Sequence, residues 1–204
     1  MTVDQANTRT GAEGRKSEIL AAAAVLFATR GIEATSVRQI GDRVGLNPGA
    51  LYHYFPSKDA IANQLITGYL TDLLADYRAM DLEGLAPRSR LKAIVDVSLA
   101  TGAAHPDATK VYHAEFASLR TLRGYTRARD LTNEIQSIWL DAITAGQDAG
   151  VLRVDVPAKV FHRFLRDAVW FSVYWRKADD VYPIDQLSDH CLSVFLDGMA
   201  LHTE

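Results

Sequence analysis

A chain of 204 residues with 48% apolar content is long and apolar enough to bury a full core, which excludes a disordered chain as the main reading. The longest uncharged apolar runs, residues 19–28 and 169–175, are too short to span a bilayer, and residues 1–14 are polar rather than a signal peptide, so a cytoplasmic protein with no membrane partner is expected. A single cysteine, Cys191, excludes an internal disulfide and a multi-cysteine zinc site, and neither a metal nor a cofactor is expected.

The net charge of -3 hides an asymmetry. Residues 1–58 hold seven Lys and Arg against five acids, so this part carries +2 and the rest carries -5. A small nucleic-acid-contacting head on an acidic body has that distribution.

In chain order, residues 1–14 lack an apolar rhythm and read as a flexible N-terminal arm. From Lys16, the positions Ile19, Leu20, Ala23, Leu26 and Phe27 form one helical stripe that Gly31 ends. Ser36 and Gln39 have the spacing of a capping box and start a second helix with Val37, Ile40 and Val44 inward. That helix cannot pass Pro48, which disfavours helical geometry in the residue before it. Asn47 then caps a third helix with Pro48 at its first position and Leu51 and Phe55 inward. Ser57 caps a fourth, with Ile61, Leu65, Leu73 and Tyr77 along its stripe to about Met80.

Three short helices within residues 15–58, the last two joined by a glycine-containing turn, make a helix-turn-helix domain. Residues 35–59, TSVRQIGDRVGLNPGALYHYFPSKD, resemble the signature of the TetR family, with Gly41 and Val44 standing where that family usually has alanine. The resemblance implies a homodimer that binds double-stranded operator DNA. In a helix-turn-helix the second helix enters the major groove. There Asn47 can donate and accept, His53 can donate, Ala50 can touch a thymine methyl and Gly49 permits close approach. By the resemblance, Ser36, Arg38, Tyr52 and Lys58 hold phosphates, contacts that position rather than specify.

Residues 59–204 read as an all-α ligand-binding and dimerisation domain, giving about nine helices in the whole chain. Helical rhythm covers residues 91–104, 111–122, 126–146, 158–177 and 184–201, with breaks at residues 82–87, 105–107, near Gly124, 150–157 and 178–183. The segment from Phe161 to Trp175 is apolar around most of its circumference and must be covered on more than one side. The last helix has Ile184, Leu187, Cys191, Val194, Phe195 and Gly198 along a stripe. TetR relatives pair two such helices across a two-fold axis, which makes Phe164, Phe171, Leu187, Cys191, Val194, Phe195 and Gly198 the expected dimer interface.

The remaining sector of the penultimate helix holds Arg163, Arg166, Trp170 and Tyr174, the last three in a row at i, i+4, i+8. Such a row can grip an anionic aromatic or nucleotide-bearing small-molecule effector through a guanidinium fork and a stacking plane, or it can be an ordinary outward face. The segment VFHRFLRDAVWFSVYW (160–175), with Trp139 and GVLR (150–153), is similar to the actinobacterial repressors of cholesterol-ring catabolism, although Tyr174 stands where a second arginine would be expected. That resemblance implies a hydrophobic acid or its CoA thioester as effector. An effector-independent DNA-binding dimer is the alternative. An enzyme is not expected: His190 and Cys191 diverge by about 100° on a helix, and no phosphate loop, serine elbow or spaced metal cluster is present.

Overall fold

The computed structural model describes residues 3–117, 124–175 and 182–198, with side chains from Gly11 onward. Among these residues there are nine helices and an all-α architecture: α1 (Val3–Arg30), α2 (Val37–Val44), α3 (Pro48–Tyr52), α4 (Lys58–Arg78), α5 (Pro87–Ala104), α6 (Pro106–Glu115), α7 (Thr126–Asp148), α8 (Ala158–Trp175) and α9 (Ile184–Asp197).

The head follows the local signals. The Ser36 hydroxyl accepts from the Gln39 amide at 3.2 Å and the Gln39 side chain takes the Ser36 N–H at 2.8 Å, a complete capping box. Asn47 Oδ1 accepts from the Ala50 amide at 2.8 Å, and Ser57 Oγ from that of Ala60 at 3.0 Å. Gly45, at φ +66°, ends α2 in the left-handed conformation that glycine adopts without a Cβ clash. Gly41 answers a different need. A Cβ there would stand 2.4 Å from the Leu46 carbonyl oxygen, so in this chain the turn into α3 lies closer to α2 than a side chain at position 41 would allow without a shift of the backbone.

Three expectations are corrected. The stretch read as an arm is helical from Val3, continuous with the helix that the buried Ile19 stripe anchors, since extending a helix avoids the cost of nucleating one. Helices α5 and α6 begin at Pro87 and Pro106 rather than at residues 91 and 111: proline at a first helical position lacks only an amide that has no partner there, so both prolines open a helix instead of breaking one. Helix α6 stops at Glu115, short of residue 122. Residues 118–123, 176–181 and 199–204, in which the expected ends of α6, α8 and α9 fall, lie outside the described residues.

Helix α4 leaves the head and becomes the central element of the body. It packs on α1 at one end and on α5, α6 and α7 along its length, burying Ile61, Ile66, Leu70, Leu73, Leu74 and Tyr77. Core polarity is satisfied there. Trp139 Nε1 of α7 donates to the Tyr77 hydroxyl at 3.1 Å, Tyr77 is hydrogen-bonded to Ser98 at 2.5 Å, and Ser98 donates to the Ile94 carbonyl at 2.6 Å. The chain's core thus ties α4, α5 and α7 through a buried network with no loose end. Helix α6 links two regions, packing on α1 of the head and on α8 of the body.

Candidate nucleic-acid interface and ligand cavity

In the head, α3 is only five residues long, and Asn47, Gly49, Tyr52 and His53 are exposed while Ala50 is half-buried. Tyr52 is 51% exposed. Because Asn47 Oδ1 is committed to the Ala50 amide, the side chain offers chiefly its Nδ2 hydrogens outward, to a base acceptor rather than a base donor. His53 is the C-terminal cap of α3 and so stands at its far end. Ser36 and Lys58 already have partners: the Ser36 hydroxyl is 3.2 Å from Gln39 Oε1, and the Lys58 ammonium donates to the Glu33 carbonyl at 3.1 Å. Arg38 is exposed and, with Asp42, Gly45, Leu46, Asn47 and Pro48, borders an open concavity of about 490 Å³ at the α2–α3 turn. Asp42 and Leu46 were not expected at this surface.

Arg15 of α1 braces the same turn from behind, donating to the Val44 carbonyl at 2.5 Å. Arg15 of α1 and the close approach at Gly41 of α2 thus both bear on the turn that leads into the five-residue α3.

In the body, a cavity of about 420 Å³ opens between α4, α5, α6, α8 and the start of α9, a volume within the range of pockets that hold small molecules. Its aromatic wall is Tyr69, Trp170 and Tyr174; Leu99, Val169 and Leu187 add aliphatic surface. The row expected on α8 is split by this geometry. Trp170 and Tyr174 line the cavity, Arg163 is exposed, and Arg166 lies on the other side of Trp170, in a narrow crevice with Phe116, Gln136 and His162. There its guanidinium sits 4.6 Å from the centroid of the Phe116 ring and donates to Asp167 at 2.8 and 2.6 Å. Trp170 is the wall shared by both spaces and is 4% exposed.

Behind Trp170 stands His113, with ring centroids 4.5 Å apart and edge-on. Burial, reinforced by the Arg166 guanidinium, pushes the His113 pKa down to about 3, so the imidazole is neutral at physiological pH. His113 Nε2 and Trp170 Nε1 are both buried without a hydrogen-bond partner among the described residues.

Lys110, midway along α6, is a cavity residue that helical periodicity did not single out. The cause is the displaced helix start: with α6 begun at residue 111, Lys110 falls in a loop. Tyr69, Thr109 and Ser172 also went unmarked, because their helices give no reason to single out one hydroxyl.

The expected dimer residues divide. Phe164, Phe171 and Val194 are 62%, 50% and 73% exposed, an apolar surface on α8 and α9 that this chain alone leaves in water. Leu187, Cys191 and Phe195 are half-buried against the chain's own core, and Gly198 is exposed just past α9. The chain's own core takes Ser188, Leu192 and Leu196 from the neighbouring stripe. Burial pushes the Cys191 thiol up to about 11, which suits a packing residue and not a nucleophile. Among the described residues no group of three His, Cys, Asp or Glu side chains could hold a metal, and no described helix is long and apolar enough to cross a membrane.

Comparison with known proteins matches residues 19–65 to the family described as bacterial regulatory proteins, tetR family, and residues 84–199 to the C-terminal domain described as tetracyclin repressor-like. The transcriptional repressor KstR2 of Rhodococcus jostii is 36% identical over 200 residues, 98% of each chain. KstR2 of Mycobacterium tuberculosis is 31% identical over 185 residues, 91% of this chain and 92% of that one. The solved structure of the ketosteroid regulator KstR2 of M. tuberculosis superposes with a TM-score of 0.82 at 31% identity, covering 92% of this chain and 96% of the other. AibR, solved with isovaleryl coenzyme A and operator DNA, superposes with a TM-score of 0.73 at 21% identity over 88% and 97% of the two chains, a likeness of fold.

Proposed function

This chain belongs to the tetR family of bacterial regulatory proteins and is a transcriptional repressor rather than an enzyme, and from that premise we propose that it silences genes of steroid-ring breakdown until a hydrophobic acid or its CoA thioester enters the body. The steroid assignment rests on the KstR2 relatives, of which the M. tuberculosis member is described as a ketosteroid regulator. That this fold can hold an acyl-CoA together with operator DNA is supported by AibR.

On this reading Asn47, Gly49, Ala50 and His53 face base edges, and Ser36, Arg38, Tyr52 and Lys58 face phosphates. Two copies pair through Phe164, Phe171, Leu187, Cys191, Val194, Phe195 and Gly198, so that the operator is a pseudo-palindrome. The effector lies against Trp170 and Tyr174, with Arg166 and Arg163 nearby on the same helix. A whole CoA thioester exceeds the cavity, so its acyl end would sit inside and its nucleotide end outside.

The observation that carries the proposal is the position of the cavity on α6. The first half of that helix lines the cavity at Pro106, Thr109 and Lys110, and the helix also packs on α1 of the head. A ligand that binds the non-DNA arrangement more tightly therefore has a path by which to release DNA, and differential binding is the only way it can. The cavity also weighs against an effector-independent dimer.

Titration of the protein–operator complex with steroid-ring acids and their CoA thioesters, followed by fluorescence anisotropy of labelled DNA, tests this. Release by one such compound, lost with Trp170→Ala, is the expected result. Operator binding indifferent to every member of the panel would overturn the effector half and leave the repressor.

A further inference from the structure

The turn between α2 and α3 is held by a residue outside the set expected to face DNA. Arg15 stands on α1 four residues before Ile19, so it continues toward the N-terminus the stripe along which Ile19, Ala23 and Leu26 are buried. Where α1 passes the end of α2, that apolar series gives way to a half-buried guanidinium. One of its Nη groups donates to the Val44 carbonyl at 2.5 Å, and the other pairs with the Glu18 carboxylate on the same helix. Val44 is the last residue of α2, and its carbonyl is one of the four that a helix end leaves without an intrahelical amide. Continuation of the chain does not supply one. Gly45 and Leu46 both return their amides to the Gly41 carbonyl, and the residue four beyond Val44 is Pro48, which has no N–H to give. The guanidinium fills that vacant position and brings a positive charge to the negative end of the α2 dipole.

We infer that Arg15 is a positioning residue for operator recognition: through the Val44 carbonyl it holds the α2–α3 turn and so sets the angle at which α3 is offered to the major groove, without touching DNA itself. The inference rests on the reading that α3 faces base edges. Of the five residues of α3 only Leu51 is buried, so the helix has little packing of its own with which to fix its tilt. It hangs from the turn, and Asn47, its cap, follows Val44 by three residues. The fork of Arg15 is divided between Val44 and Glu18, and the Glu18 carboxylate already sits where a phosphate would have to compete for the same charge. A lysine in that place would carry the charge but not the planar fork that spans two acceptors.

The test uses the full chain and two duplexes, one enriched by the wild-type chain from a random-sequence pool and a shuffled one of the same length and composition. Binding is read by fluorescence anisotropy over a series of salt concentrations, with melting curves alongside. Arg15→Met should weaken binding to the enriched duplex about tenfold and leave the shuffled one within about twofold, because non-specific affinity is carried by phosphate contacts that Arg15 does not make. The slope of log affinity against log salt should stay that of the wild type. Arg15→Lys should show most of the same loss. A slope lowered by about 0.9 for each copy bound, with equal loss on both duplexes, would make Arg15 a phosphate contact and overturn the inference. Full affinity in Arg15→Lys, loss on both duplexes together with a large fall in melting temperature, or unchanged binding in Arg15→Met would overturn it as well. Gly49→Glu separates the two levels, since it puts an acid on the exposed side of α3 in the first turn, where a helix tolerates one. If Gly49→Glu abolishes binding to the enriched duplex while Arg15→Met is silent, α3 stands as the recognition helix and Arg15 falls; if Gly49→Glu is silent too, the reading of α3 falls with it.

Discussion

The head and the body begin their helices by different means. In the head, α2 and α3 each start on a side chain that takes a free backbone amide, and so does α4 as it leaves: Ser36, Asn47 and Ser57. In the body, α5, α6, α7 and α9 start at Ala86, His105, Tyr125 and Pro183 with no side-chain cap. Short-range chemistry therefore fixes where α2, α3 and α4 begin, and long-range packing fixes where α5, α6, α7 and α9 do. Under the proposed function, a head whose geometry is set locally would keep its shape while the body rearranges around a ligand.

The strongest way to break this contrast is in the body's core. Trp139→Ala removes a fully buried ring and the donor to Tyr77, and should cost about 3–5 kcal/mol in chemical denaturation. A cost well below that would mean that packing does not set the body. Next comes the head: Gly41→Ala puts a methyl group against the Leu46 carbonyl oxygen, backbone that can yield only by shifting the turn, so it should cost about 1–3 kcal/mol and weaken operator binding. Unchanged operator affinity would detach the turn from DNA recognition. The caps sharpen the comparison from both sides. Ser57→Ala should lose about 1 kcal/mol, while Ala86→Ser, at an exposed and extended N-cap that lacks a side-chain acceptor, should gain up to about 1 kcal/mol, both read from melting curves. Smallest of all, Arg78→Met removes an exposed ion pair to Glu134 between α4 and α7 and should change stability by less than about 1 kcal/mol, an effect that salt erases.

The same contrast explains what the residues alone reveal. Caps, the glycine turn and the Leu51–Phe55 spacing are local, so the helix-turn-helix and its outward residues are legible in the amino-acid sequence. The all-α body is legible from periodicity, but its helix starts are not. At Pro48 the preceding Asn47 marks the proline as a first helical position, whereas Ala86 and His105 give no such cap signal before Pro87 and Pro106. The ligand row divides for a geometric reason. Residues at i, i+4, i+8 share a face, yet Arg166 and Tyr174 are separated by the bulk of Trp170 between them, and which side of that ring opens depends on α6, a neighbour that one helix's spacing cannot describe. Lys110 escapes notice with the same helix.

The three tryptophans sit in three environments, and that gives the protein a built-in optical readout. Trp139 is fully buried and hydrogen-bonded in the core, Trp170 is a cavity wall, and Trp175 is 57% exposed at the end of α8. Their fluorescence reports separate events: a red shift of the Trp139 emission follows unfolding, quenching or enhancement at Trp170 follows a ligand, and a blue shift at Trp175 follows whatever dries that end of the helix. Variants that keep one tryptophan at a time, the others replaced by phenylalanine, would resolve ligand entry, association and unfolding in a single unlabelled sample and show the order in which they occur.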